Sequence, residues 1–183
     1  GKMIISRIAD KKFVGKDLLY VGVWKKDDDR TTYNLIYSDT KSNKNFVKRF
    51  QVQGITREKE YEIAKGENCK ILYFSANPNG EAEIVNVKLT SGCKARTKVF
   101  DFDFSSVIVK GRSSQGNILS PYPIMRVDLK KKGVSTLGGV HLWINMNTGR
   151  PNRNHEGTYL GEFFAENELL VINKNGSYMV TKH

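Results

Sequence analysis

Asp101-Phe102-Asp103 sets two carboxylates at i and i+2, a spacing that puts both on one face of an extended strand. Such a pair could hold Mg²⁺ for nuclease chemistry. No third acidic ligand stands nearby, and Phe100, Phe102 and Phe104 alternate with the acids, so the simpler reading is the polar face of an ordinary strand. Asp27-Asp28-Asp29 could bind a hard cation, but a solvated charged turn accounts for it better. Of the histidines, His155 lies in a polar loop and His183 is terminal; none of the three, His141 included, suggests a base held by a partner. GxSxG, HExxH and Walker A patterns are absent. Cys69 and Cys93 have no CxxC and no neighbouring His, which reads as two reduced structural thiols. No catalytic residue, metal ligand or cofactor-binding residue is therefore expected.

The chemistry that remains is charge on phosphate. In Val109-Lys110-Gly111-Arg112-Ser113-Ser114-Gln115-Gly116-Asn117-Ile118-Leu119, lysine and arginine stand among glycines that allow close backbone approach. Ser, Gln and backbone N–H groups could reach phosphate oxygens while Lys110 and Arg112 supply charge. No recognition helix or zinc finger accompanies the segment, so the expected contact is with backbone rather than base edges. The net charge is +11, and it is unevenly placed. Residues 1–66 carry +6, residues 67–93 carry −1, residues 94–132 carry +6 and residues 133–183 carry none. Clustering of this kind points to a polyanion-binding face. The expected phosphate contacts are Lys48, Arg49, Lys94, Arg96, Lys98, Lys110, Arg112, Gly116, Arg126, Lys130, Lys131 and Lys132. Lys94, Arg96 and Lys98 would share one face if K-A-R-T-K is extended.

The elements that must carry these residues are strands. Hydrophobic residues make up 39%, enough for a core, and no apolar run approaches the ~20 residues of a membrane span. No leader pattern stands at the N-terminus, so the expected location is cytoplasmic, without a membrane partner. The chain begins with Gly1 rather than Met and is expected to be a piece of a longer protein. Tyr33–Tyr37, Phe46–Val52, Lys70–Ser75, Glu83–Leu89, Val99–Phe104, Leu169–Ile172 and Ser177–Val180 read as strands, with Asn-Gly turns at Asn79-Gly80 and Asn175-Gly176 as hairpin signals. Residues 57–63 could make one or two helical turns, and Asn145–Glu156 reads as a mobile connection. The fold class is all-β. A faint repeat divides the chain into modules near 1–68, 69–117 and 118–183, with Lys70–Leu89 as one hairpin copy. Strand modules of that size suit about three blades of a propeller-like array.

Several stretches then carry a family resemblance. K-G-R-S-S-Q-G-N at Lys110–Asn117, F-V-K-R-F at Phe46–Phe50 and N-K-N-G-S-Y-M-V-T-K at Asn173–Lys182 resemble recurrent blade segments in the C-terminal domain of the A subunit of bacterial type IIA topoisomerases. Y-F-S-A-N-P-N-G-E-A-E at Tyr73–Glu83, V-F-D-F-D-F at Val99–Phe104 and G-V-S-T-L-G-G at Gly133–Gly139 are most similar to the topoisomerase IV type of Bacteroidetes-like bacteria. The resemblance implies a β-pinwheel, with a strand exchanged between neighbouring blades and duplex DNA bent around a basic rim. It also implies an accessory role in a nucleoid-associated enzyme. The partners would be the ATPase B subunit of the enzyme, together with the N-terminal catalytic core to which this domain is joined. ATP and Mg²⁺ would be used elsewhere in the parent enzyme. The gyrase-type box Q-R-R-G-G-K-G is absent, Gln115 and Gly116 giving only a remnant, which favours a topoisomerase IV-like over a supercoiling role. A protein-interaction module is the alternative that charge and repeat leave open.

Overall fold

A computed structural model describes residues 1–183 apart from Ile8, Ala165, Glu166 and His183, with the backbone alone for Lys182. The fold is all-β: the described residues form fifteen strands and a 3-10 turn at Phe104–Ser106, with no α-helix. They divide into two compact units, 1–133 and 134–183.

The first unit is built on the antiparallel pair β2 (Thr32–Asp39) and β3 (Lys44–Gln51). Both strands are buried on both faces, although they carry Asn34, Asn45, Lys48 and Arg49 among their apolar residues. On one side Leu35, Tyr37, Phe46, Phe50 and Val52 meet Ile63 and Ala64. On the other, Ile36 and Val47 meet Val85, Val87, Leu89, Phe104 and Val107. β5 (Lys70–Asn77) adds antiparallel to the free edge of β2. The outer edge of β3 is shared between β8 (Val109–Gly111), which runs parallel to it, and β9 (Asn117–Ser120), which runs antiparallel. Buried Asn45 holds the end of β9 by donating to the carbonyls of Ser120 and Tyr122 at 3.1 and 2.7 Å.

A second sheet in this unit sets β6 (Ile84–Leu89) between β7 (Val99–Asp103) and β10 (Ile124–Lys131). Here the alternation is strict: Val85, Val87 and Leu89 are buried, and the residues between them are half-buried. Burying each such side chain contributes about 1.5–3 kcal/mol. A short pair, β1 (Lys2–Ile4) with β4 (Glu60–Glu62), accompanies the two sheets. In the second unit β11 (Val140–Asn145) lies between β12 (Arg150–Asn152) and β13 (Thr158–Phe163). The hairpin β14 (Glu168–Ile172) and β15 (Tyr178–Lys182) completes it.

Three expectations are corrected. Residues 57–63 hold β4 and no helix, because Tyr61 pairs with Met3 across the ladder. Asn145–Glu156 contains β12, zipped onto β11. Lys70–Leu89 is not a hairpin: β5 pairs with β2, whereas β6 pairs with β7 and β10. The chain turns at Asn77–Gly80, where the Gly80 N–H donates to the Asn77 carbonyl at 3.1 Å, and then crosses between sheets. Sheet membership also interleaves across the expected divisions, since β5, β8 and β9 all join the sheet of β2 and β3 while β10 joins that of β6 and β7.

Candidate nucleic-acid interface

The loop joining β8 to β9, residues 112–116, is fastened from beneath. Lys48 on β3 points its ammonium at the loop and donates to the carbonyls of Arg112 and Ser114 at 2.7 and 2.8 Å. The Tyr37 hydroxyl donates to the Gln115 carbonyl at 2.6 Å. Gly116 sits at φ +94°, and a Cβ there would lie 2.5 Å from the Val47 carbonyl oxygen, so only glycine lets the loop close onto β3. Arg112 clamps the loop sideways: its guanidinium donates to the carbonyls of Gln53 and Gly54 and lies 4.3 Å over the Tyr61 ring. Lys48 and Tyr37 thus draw the carbonyls of Arg112, Ser114 and Gln115 inward, and the side chains of Lys110, Ser113 and Gln115 remain exposed.

Burial sets the electrostatics of these anchors. It pushes the Lys48 ammonium down to about 8, with repulsion from Lys65 adding to the effect. The charge is stabilised by two loop carbonyls and by the Phe50 ring, whose centroid is 4.8 Å away. Burial also pushes the Tyr37 hydroxyl up to about 12.

The other basic residues fall into three environments. Lys94, Arg96 and Lys98 lie in the connection before β7, which is loop rather than strand. Its turn is closed by Cys93 N–H donating to the Thr90 carbonyl at 3.2 Å, and Lys98 Nζ donates to the Ser91 carbonyl at 2.5 Å. The shared strand face expected for these three is therefore absent, although all three are exposed. On β10 the charges are partly neutralised: Arg126 pairs with Asp128 at 2.6 Å, and Lys130 pairs with Asp101. Lys131 and Lys132 are exposed, and neither is ion-paired among the described residues. Lys88 stands opposite Arg126 in the β6–β10 ladder; strand alternation in I-V-N-V-K-L already assigns it to the polar face, although it was not among the expected contacts. Tyr37 was missed too, and inside Y-N-L-I-Y nothing in the sequence marks its hydroxyl.

Residues 1–132 match the family described as the topoisomerase C-terminal domain of Bacteroidota. The chain belongs to this family. The matched stretch ends one residue before the end of the first compact unit at Gly133. The chain is also 28% identical over 128 residues to the A subunit of DNA topoisomerase 4 from Borreliella burgdorferi, covering 69% of this chain and 19% of that protein. It thus spans about a fifth of the length of this curated relative. No solved structure matches.

In this topoisomerase C-terminal domain two of the residues expected at the surface are buried instead. Lys48 and Arg49 are 2% and 1% exposed, because β3 is sandwiched between two apolar clusters. Arg49 instead donates to Asn34 Oδ1 at 3.1 Å and to the Gly80 carbonyl at 2.7 Å. Asn34 in turn donates to Glu83 at 3.0 Å, and Ser75 donates to the same carboxylate. This buried network pins residues 80–83 where the chain crosses between the two sheets. Arg112 acts as a clamp on the Gln53 and Gly54 carbonyls, and Gly116 serves by backbone fit. Asp101 is occupied by Lys130 and by Asn86 at 2.9 Å, which hold its carboxyl below the usual range. Asp103 accepts from Ser105 N–H at 2.8 Å and caps the 3-10 turn. No helix of the described residues is long and apolar enough to cross a membrane.

Proposed function

We propose that this chain is the sequence-nonspecific duplex-DNA-binding accessory domain of a type IIA topoisomerase A subunit. In this reading it bends or wraps DNA and positions it for strand passage by a catalytic core that lies elsewhere. The observation that carries the reading is the fastened loop 112–116: carbonyls are drawn inward by Lys48 and Tyr37, while Lys110, Ser113 and Gln115 face solvent. Such a loop presents charge and hydrogen-bond donors to a phosphate backbone without reading bases. Lys94, Arg96, Lys98, Lys131 and Lys132 extend the basic surface, with Arg126 and Lys130 available after exchange of their carboxylate partners for phosphates. The all-β fold, built of separate, largely antiparallel sheets, is consistent with pinwheel blades. The parent protein would work through its own catalytic core and a separate ATPase subunit in the cytoplasm, with ATP and Mg²⁺ bound outside this chain. The name of the Borreliella relative supports the topoisomerase IV assignment.

A gel shift with duplexes of unrelated sequence tests this. All should bind with similar affinity at 50 mM salt and lose roughly 10³-fold or more by 200 mM. Absence of binding at the lower salt would contradict the reading and favour a protein-docking module.

A further inference from the structure

The matched family stops at Lys132, and the sheet of β11, β12 and β13 carries a group of rings that the duplex-binding reading does not use. His141 and Trp143 stand at i and i+2 on one face of β11, while Val140 and Leu142 are buried on the other. Tyr159 lies opposite Trp143 across the ladder, with ring centroids 5.0 Å apart. The Tyr159 hydroxyl and His141 Nδ1 share a hydrogen bond of 2.6 Å. His155 reaches back from the loop after β12 and stacks on Trp143 with centroids 4.0 Å apart and planes 29° apart. That separation is close to the ~3.4 Å rise between successive bases in a nucleic-acid strand.

The loop is built to hold His155 there. Asn152 Oδ1 accepts from the N–H groups of Asn154 and Glu156, both at 3.1 Å, and Asn152 Nδ2 donates to the Glu156 carbonyl at 2.8 Å. A Cβ on Gly157 would lie 2.2 Å from the Ile144 carbonyl oxygen, so the loop rests directly on β11. Preorganised rings lose little freedom when they are covered. Yet Tyr159 remains 50% exposed, and His141 and His155 are exposed as well. Arg150, opposite Asn145 in the ladder, falls on the ring face, and exposed Arg153 lies in the His155 loop. Glu162 is the acid opposite His141, and its carboxylate accepts from Gly139 N–H at 3.0 Å.

We propose that this ring-bearing face of β11–β13 is a stacking site for unpaired nucleobases of a single strand, with Tyr159 and the outer face of His155 as the platform and Arg150 and Arg153 meeting the phosphates. Aromatic rings interleaved with cations are the means by which single strands are bound without regard to sequence. A duplex keeps its base faces covered and has none to offer. Residues 133–183 carry no net charge, so attraction of phosphate alone does not favour binding here. The site is independent of the loop at 112–116 and stands or falls separately from it.

The test uses the full chain carrying Trp24→Phe, which leaves Trp143 as its sole tryptophan. Its emission is followed during titration with a fifteen-nucleotide oligothymidylate, with an abasic oligomer of equal length, and with a duplex. Oligothymidylate is expected to quench Trp143, and the abasic strand is not. Tyr159→Ala should weaken oligothymidylate binding about tenfold with duplex affinity unchanged, and Tyr159→Phe, which keeps the ring and loses the bond to His141, should retain it. Equal quenching by the abasic strand would overturn the proposal. So would full oligothymidylate affinity in Tyr159→Ala, or a loss in Tyr159→Phe as large as in Tyr159→Ala.

Discussion

Lys48 holds an ammonium where water has been excluded, at 2% exposure, and it meets that cost with two carbonyls of a surface loop. Replacing it with methionine should leave those acceptors without a buried donor, at about 1–3 kcal/mol each, and should release the loop. Its pH signature is distinct. The folded state lowers the Lys48 pKa to about 8 from an ordinary 10.5, so between those values the unfolded chain binds more protons than the folded one. Stability contributed through this residue therefore rises as pH climbs from about 8 to 10.5. Unfolding free energies measured across that window should show the wild type gaining on Lys48→Met by up to roughly 3 kcal/mol; a constant difference would contradict the buried charge. Tyr37, pushed up to about 12 by burial, acts in the opposite sense above pH 10 in both proteins and cancels in the comparison. Gly116→Ala should be more disruptive than its size suggests, because φ +94° and the Val47 carbonyl both oppose a Cβ. A lower melting temperature and weaker duplex binding are expected together, and a change in neither would remove the loop-closure argument.

At the scale of elements, the crossing from β5 to β6 depends on Arg49, its partners Asn34 and Gly80, and Glu83, which Asn34 holds in turn. Arg49→Leu would leave Asn34 Oδ1 and the Gly80 carbonyl without their buried donor and should cost about 1–3 kcal/mol for each, read as a lower denaturant midpoint. A neutral result would mean that the two sheets hold together by apolar packing alone. Strand content was legible from alternation in Ile84–Leu89 and Val99–Asp103, where one face is apolar. The partner of each strand was not. Asn-Gly at 79–80 marks a turn, but whether the chain returns beside β5 or crosses to another sheet is decided by a buried arginine thirty residues upstream. F-V-K-R-F was legible as a strand, but its burial was not, since β8 and β9 on its outer edge and much of the apolar clusters on its two faces come from distant sequence. Lys94–Lys98 erred the other way, as alternating charge in a segment whose backbone turns back on itself at Thr90–Cys93.

For the whole molecule, charge distribution was the most transferable part of the sequence reading. Two blocks of +6 flank a near-neutral stretch, and the structure divides their residues into buried fasteners, ion-paired cations and free surface cations. Lys48 and Arg49 belong to the first group, Arg126 and Lys130 to the second, and Lys94, Arg96, Lys110, Lys131 and Lys132 to the third. Only the last group should govern electrostatic affinity from the outset. Alanine at all five should weaken binding to every duplex alike, without lowering thermal stability by more than about 0.5 kcal/mol per site. The decisive measurement is the slope of log binding constant against log salt for one random duplex, taken for the wild type and for this fivefold variant. Each lost phosphate contact should flatten the slope by about 0.9, so a reduction of roughly 4–5 is expected. An unchanged slope, or a wild type that does not bind duplex DNA at low salt, would contradict the account.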